Sequence, residues 1–401
     1  MRISTNQIYQ AGTRQLLDLQ SKMYTLQNQM SSGKKFLTAQ DDPVGAVQVL
    51  LNTQSMSINT QYSNNQQNAA SQLALEEDRL QSVVDAVLAI QEQVVAGGNA
   101  SYSDAQRSYI AENLKSQLAF LLGMANSTDA NGYYLFSGYQ GHTKPFQTQA
   151  DGSVVYAGDD GQRLLQVGAS RQIAISDSGR DIFENIRTGN GTFSLSAVAG
   201  NTGTGVIAGG SVNDMLAWTG DNYQIQFTSP TSYTVTDVTT STVLGSYTYT
   251  AESEITAIPG ISFQIAGAPA AGDAFDVAPS SGQSIFTTLS RLIDAFNTPT
   301  AGNPAAAAEA RNIINTEQVN LARVLENVST VQASIGSRRA EIESLSNVSS
   351  ALDLHYQERL SNLQEVDLVQ AISNFTQLET QLQAAQSSFA KITALSLFNY
   401  I

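Results

Sequence analysis

From Ala305 to Ile401 the chain contains no proline, and between Val44 and Val95 it contains neither proline nor glycine apart from Gly45. Stretches this long without a breaker, carrying apolar residues at helical spacing, can do little except form long helices. In the earlier stretch a stripe of Val47, Leu51, Ile58 and Tyr62 is thinned by Asn and Gln. It then sharpens at Leu73, Leu80, Val83, Val87, Ile90 and Val94. At 1.5 Å per residue that helix would be a rod of roughly 80 Å, and the C-terminal one, if continuous, about 140 Å. In the latter, Leu321, Leu325, Val328, Ile335, Ile342 and Leu345 keep a seam. Polar residues at Gln332, Arg339 and Ser349 predict a bend or a change of partner.

Start and stop signals divide the rest. Leu16, Leu19, Met23, Leu26 and Met30 follow at spacings of 3 and 4, a coiled-coil seam, and Gly33 is placed to end that helix with positive φ. Asp42-Pro43 and Asn303-Pro304 each read as a cap followed by a first-turn proline. Gly97-Gly98 stops the second helix, and Ser103 starts a third, carrying Ile110, Leu114, Leu118, Leu121 and Ala125, that can fold back along it. The C-terminal seam is renewed at Leu378, Leu382, Ala385, Phe389 and Ile392.

Between the helical flanks the pattern turns to short strands. Asn131–Gly138 reads as a turn, an aromatic strand and another turn. Further on, Tyr223, Ile225 and Phe227, then Ile261, Phe263 and Ile265, alternate with polar residues. Glycine-rich joints such as Gly200 to Gly210 separate the strands. The reading is α+β: a long antiparallel helical hairpin or coiled-coil rod built by both chain ends, with a mainly β domain inserted at its tip. Residues 1–35 and 365–401 are the terminal helices, 36–145 and 283–364 the helical rod, and 146–282 the β domain. A two-helix ribbon of this size is marginal alone, so both ends are expected to be mobile in the free monomer and ordered against other subunits.

Charge narrows the function. The formal net charge is −15, with 35 acidic against 20 basic residues and no cysteine. Phosphate binding needs a basic face, so nucleic acid is excluded as a partner, and the missing thiols exclude disulfides and cysteine nucleophiles. The charge is uneven: residues 1–40 hold five basic and one acidic group, while no Lys or Arg occurs between Arg187 and Arg291. No run of about 18 apolar residues exists to span a membrane, and the N-terminus lacks the apolar stretch of a cleaved export signal.

Catalysis has little to stand on. His142 in a glycine-rich turn and His355 on the long helix belong to no catalytic motif, and no P-loop or Gly-x-Ser-x-Gly occurs. Asp159-Asp160-Gly161 lacks the ligand spacing of a calcium loop and reads as a turn, while Glu76-Glu77-Asp78 reads as a solvated helix face. No cofactor or metal is expected. Lys34 and Lys35 follow the end of the first helix, where they could serve its dipole or meet acidic neighbours.

Several segments in order carry a resemblance. Arg2-Ile3-Ser4-Thr5-Asn6-Gln7, Met30-Ser31-Ser32-Gly33-Lys34-Lys35, Asp41-Asp42-Pro43, Tyr134-Leu135-Phe136-Ser137-Gly138 and the closing Leu395–Ile401 resemble the flagellin-like family of the bacterial flagellum. Within it they are most similar to the hook–filament junction proteins, the third hook-associated proteins. The resemblance covers roughly 1–145 and 283–401. Typical flagellins carry Arg-Leu-Ser-Ser-Gly where this chain has Gln29-Met30-Ser31-Ser32-Gly33, and end in a leucine-arginine tail, so flagellin itself or a related filament subunit is the alternative. A secreted oligomeric adhesin or phage tail component fits less well. The resemblance implies unfolded export through the flagellar type III apparatus and assembly as an extracellular ring of copies joining hook-associated protein 1 to flagellin. It further implies a cytoplasmic export chaperone on the C-terminal helix around Leu378–Leu397. The polymerisation and partner-binding residues would be Leu16, Leu19, Met23, Leu26, Met30, Leu378, Leu382, Ala385, Phe389 and Ile392.

Overall fold

The structure, a computed structural model, describes residues 5–99 and 102–394. The motif residues 2–4 and 395–401 lie outside the described residues. The described residues form six α-helices: α1 (Thr5–Ser32), α2 (Pro43–Gly97), α3 (Asp104–Ala125), α4 (Ile285–Asn297), α5 (Pro304–Gln364) and α6 (Leu368–Ala394). Their ends follow the local chemistry. Asp42 Oδ1 accepts the Gly45 N–H (2.9 Å) and Asn303 Oδ1 the Ala306 N–H (3.1 Å), each just before a first-turn proline. Ser103 and Gln106 close a capping box ahead of α3. The C-terminal stretch is not one helix, because Glu365 to Asp367 separate α5 from α6.

The chain divides into two compact units, Met1–Asn64 with Ser344–Ile401, and Asn65–Glu343. The larger holds the β region. Its strands are β1 (Phe146–Thr148), β2 (Val154–Tyr156), β3 (Leu164–Gly168), β4 (Arg171–Ala174), β5 (Ile186–Arg187), β6 (Phe193–Ala197) and β7 (Val206–Val212). They continue as β8 (Tyr223–Ser229), β9 (Ser232–Asp237), β10 (Thr242–Thr248), β11 (Glu254–Ile255), β12 (Ile261–Ala266), β13 (Ala274–Pro279) and β14 (Gly282–Gln283). The main sheet has the order β10-β9-β8-β13-β6, a second β11-β12-β7, and the hairpins β1-β2, β3-β4 and the pair β14-β5 stand apart. All of these pairings are antiparallel. Ile225, Phe227, Val235 and Val277 share one buried core with Ile261, Phe263 and Ile265, so the period-2 pattern finds its inner face.

Three expectations need correction here. Asn131–Gly138 holds no strand: Tyr134 makes only an isolated bridge to Thr128. The Asp129 carboxylate gathers the N–H groups of Asn131 and Tyr133 (2.9 Å each), which winds the segment into turns. Gly209 and Gly210 are not a joint but lie inside β7. A Cβ on Gly210 would come within 2.8 Å of the Phe193 ring, so the glycine lets the ring approach the strand backbone closely. Finally, Glu76 is not on a solvated face; it is buried.

The β region is fastened to α5 by a polar ladder at helical spacing. Asn312 donates to the Gly205 carbonyl (2.9 Å) and accepts the Ile207 N–H (2.7 Å). Thr316 donates to Leu195 O (3.0 Å), and Asn320 accepts the Gly189 N–H (2.8 Å). Arg323 donates to the carbonyls of Gly189 and Asn190, and Asn327 to that of Asp181. The rungs satisfy backbone groups at the edge of β6 and β7, in the loop before β6 and in the turn holding Asp181, which no neighbouring strand reaches. Below it, Phe136, Phe146, Phe183 and Phe286 pack edge-to-face or tilted at 5.2–5.4 Å between centroids. α3 lies closely against α4, and its Ile110 reaches Gly97 at the end of α2.

Candidate assembly surface

The smaller unit carries the sequence-predicted polymerisation residues. α1 ends at Gly33, whose φ of 71° is the left-handed conformation glycine tolerates best. The chain then crosses the end of α5: Lys35 N–H donates to Gln364 O (2.7 Å), Val366 N–H to Gly33 O (2.9 Å), and Lys34 bridges Glu365. Lys35 Nζ donates to Asn362 O (2.6 Å). This lysine therefore serves a helix C-terminus, but that of α5 rather than of its own preceding helix. The loop is held by Asp41, which accepts the N–H groups of Thr38 (2.9 Å) and Leu37 (3.1 Å). Those bonds hold its carboxyl below the usual aspartate range.

From this crossover α1 and α6 run antiparallel. At the far end Tyr9 meets Phe389 at 5.0 Å between ring centroids, and the Phe389 ring lies over Gly12, where a Cβ would approach it to 2.6 Å. Leu16, Leu19, Met23, Leu26 and Met30 are all half-buried on α1. On α6, Leu382 is 8% exposed, Leu378, Ala385 and Phe389 are half-buried, and Ile392 is 52% exposed. The two stripes face each other without closing. A cleft of about 440 Å3 remains between the helices, with Leu26 and Leu378 on its walls.

Past the crossover, the early half of α2 meets the late half of α5 through amides. Asn52 donates to Tyr356 O and Asn59 to Ser349 O, each at 2.8 Å, a repeat of seven on both helices. Asn52 and Asn59 are buried, whereas the expected stripe residues Val47, Leu51 and Ile58 are exposed. This corrects the seam reading. A short amide can use the second lone pair of a helical carbonyl and let the backbones approach, so the polar positions face inward and the apolar ones outward.

The consequence is a unit with almost no core. Among the described residues of the smaller unit, only Ala371 and Leu382 are buried apolar side chains. Tyr9, Leu17, Tyr24, Val44, Val47, Leu50, Leu51, Ile58, Val348, Leu354, Val369 and Ile372 are among its exposed ones. Scattered apolar residues are ordinary on a surface, but so many on four helices without an interior are more than a surface usually carries. Sequence periodicity found the α1 and α6 stripes but missed Gly12 and Tyr9. It also missed Ala371, although it lies one heptad ahead of Leu378 on the same face of α6.

The ionisable groups offer no alternative centre. His142 packs at a tilt against the Tyr133 ring (4.6 Å between centroids), and exposed His355 lies 3.7 Å from Glu358. Asp159 accepts from Tyr139 and Gly161 N–H groups, as a turn residue does. Among the described residues no group of three His, Cys, Asp or Glu side chains is placed to hold a metal, and no helix is long and apolar enough to cross a membrane.

Comparison with known proteins agrees with this arrangement. Residues 3–141 match the bacterial flagellin N-terminal helical region and residues 319–401 the bacterial flagellin C-terminal helical region. The chain is 27% identical over 398 residues to flagellar hook-associated protein 3 of Salmonella typhimurium and of Escherichia coli K12, covering 99% of each chain. It is 30% identical to the crystal structure of Xanthomonas campestris FlgL, covering 73% of this chain and 99% of that one at a TM-score of 0.68. The chain belongs to the FlgL family. Hook-associated protein 3 of Legionella pneumophila, 29% identical with a TM-score of 0.74 over 79% of this chain, shares the same fold. As a FlgL-family protein it has the helical ends and central β region of a flagellar component, and the flagellum is its location.

Proposed function

We propose that this chain is a structural junction subunit of the bacterial flagellum, assembling as a ring between hook-associated protein 1 and the first layer of flagellin, and that it acts by packing rather than by catalysis. The observation that carries the reading is the coreless helical unit: four helices, two buried apolar side chains, and apolar faces turned outward. Burying such surface on neighbouring copies and partners returns about 25 cal/mol per Å2 of apolar area, which an isolated protomer forgoes.

Leu16, Leu19, Met23, Leu26 and Met30, with Leu378, Leu382, Ala385, Phe389 and Ile392, are the residues we assign to polymerisation. The half-closed seam and its cleft support the companion proposal that residues 1–35 and 365–401 gain order when copies pack on them. Export through the flagellar type III apparatus, with a cytoplasmic chaperone covering α6, accounts for how an apolar face of this size stays soluble before assembly. A strain lacking the gene tests the junction role: it is expected to keep its hooks and release unpolymerised flagellin into the medium. Normal filaments on that strain would refute the reading.

A further inference from the structure

Within the larger unit one acidic group is used by none of the assembly contacts. Glu76 on α2 is 2% exposed. Its Oε1 accepts the Asp177 N–H (3.1 Å), and its Oε2 has no hydrogen-bond partner among the described residues. Three charged groups face it from the packed segments. Asp177 and Arg163 come from the segments flanking the β3-β4 hairpin, and Arg338 from α5. Arg338 is already committed, to the Asp177 carboxylate and to the Ala174 carbonyl (3.0 Å), and Gln162 donates to Asp177 as well (2.8 Å). The neighbouring Glu77 is engaged by Arg339. Two cations therefore sit in the cluster, but Arg338 is spent on Asp177. Arg163 turns its Nε to the Ser176 hydroxyl (3.5 Å) and makes no ion pair with Glu76 among the described residues, so an ionised Glu76 would stand sealed from water beside a second carboxylate.

We propose that Glu76 is a proton-gated clasp, holding the 175–179 segment between α2 and α5 while its carboxyl is protonated and loosening the β region from the helices when alkaline medium removes that proton. The segment it holds runs into the last rung of the α5 ladder, the Asp181 carbonyl that accepts from Asn327. Ser178 and Gly179 touch Tyr156 and Phe136 and lead into the π-helical turn Arg180–Glu184. A flagellar protein works in a medium whose pH the cell does not control, which gives the clasp an occasion to open.

Burial first, then the Asp177 charge, raises the Glu76 carboxyl from its ordinary 4.5 to about 8. The sign follows from linkage. The folded state binds a proton that the unfolded state has released, so the stabilisation is complete below 4.5 and is lost as the pH climbs through about 8. Between those limits the unfolding constant of the larger unit rises by up to about tenfold per pH unit, or roughly a hundredfold from pH 5.5 to 7.5.

The test compares the full-length chain with Glu76→Gln, which keeps the shape of the neutral carboxyl, by urea unfolding from pH 5.5 to 9. The steep dependence is expected in the wild type and its removal in the variant. Infrared difference spectra supply a readout independent of folding. A protonated carboxylic C=O band is expected to persist at pH 7 and vanish above pH 8 in the wild type only. Equal pH profiles in the two proteins, or no such band at pH 7, would overturn the proposal.

Discussion

Replacing Leu382 by aspartate attacks the α1–α6 seam at its best-covered large side chain. Leu382 is 8% exposed, so the substitution forfeits nearly the whole of a leucine's burial, about 1.5–3 kcal/mol. It also places a carboxylate in the seam opposite Leu16 to Met30, which adds a few kcal/mol unless the charge escapes to solvent or is paired. Among the described residues of these helices only Ala371 shares its burial, so the loss exceeds what a marginal two-helix pair can absorb. The informative companion is Ile392→Asp. Ile392 is 52% exposed in the single chain, so the monomer should not register the change. Amide exchange on purified monomers, followed by motility and filament attachment after expression in a deletion strain, separates the two. Leu382→Asp is expected to speed exchange throughout α6 and to abolish attachment, with the β region still protected. Ile392→Asp is expected to leave monomer exchange untouched and still impair attachment. Normal swimming with both variants would refute intersubunit burial of this stripe. Disruption of the monomer by Ile392→Asp would show that a protomer satisfies the stripe by itself.

Two further substitutions probe the β region by chemical unfolding. Gly210→Val puts a branched side chain where even a Cβ lies 2.8 Å from the Phe193 ring; a loss of about 1–3 kcal/mol is expected, and an unchanged midpoint would contradict the close approach. Asn312→Ala strips partners from the Ile207 N–H and the Gly205 carbonyl, both buried at the rung. A cost of about 1–3 kcal/mol for each group left unpaired is expected, and slower exchange at Ile207 than in the wild type would count against the ladder.

Local chemistry was legible wherever it acts through neighbours in sequence. Asp42-Pro43, Ser103, Asn303-Pro304 and Gly33 mark the helix ends because capping is decided within four residues. The stripes on α1 and α6 were legible for the same reason. The α2 seam was not, since apolar periodicity assumes that apolar residues face inward. Asn52 and Asn59 reverse that assumption by donating to carbonyls some 300 positions away, in a helix whose register no local rule supplies.

Residues alone determined the helical flanks, the β-patterned centre, the missing thiols and the acidic balance, because propensity, capping and charge are properties of short segments. Tertiary structure decided which face of α2 is buried, that Glu76 is sealed beside Asp177, and that Lys35 serves α5 instead of α1. It also decided that Gly209 and Gly210 belong to a strand. Each of these outcomes depends on a group brought near from a distant part of the chain, and burial and long-range hydrogen bonding exist only once that approach has been made.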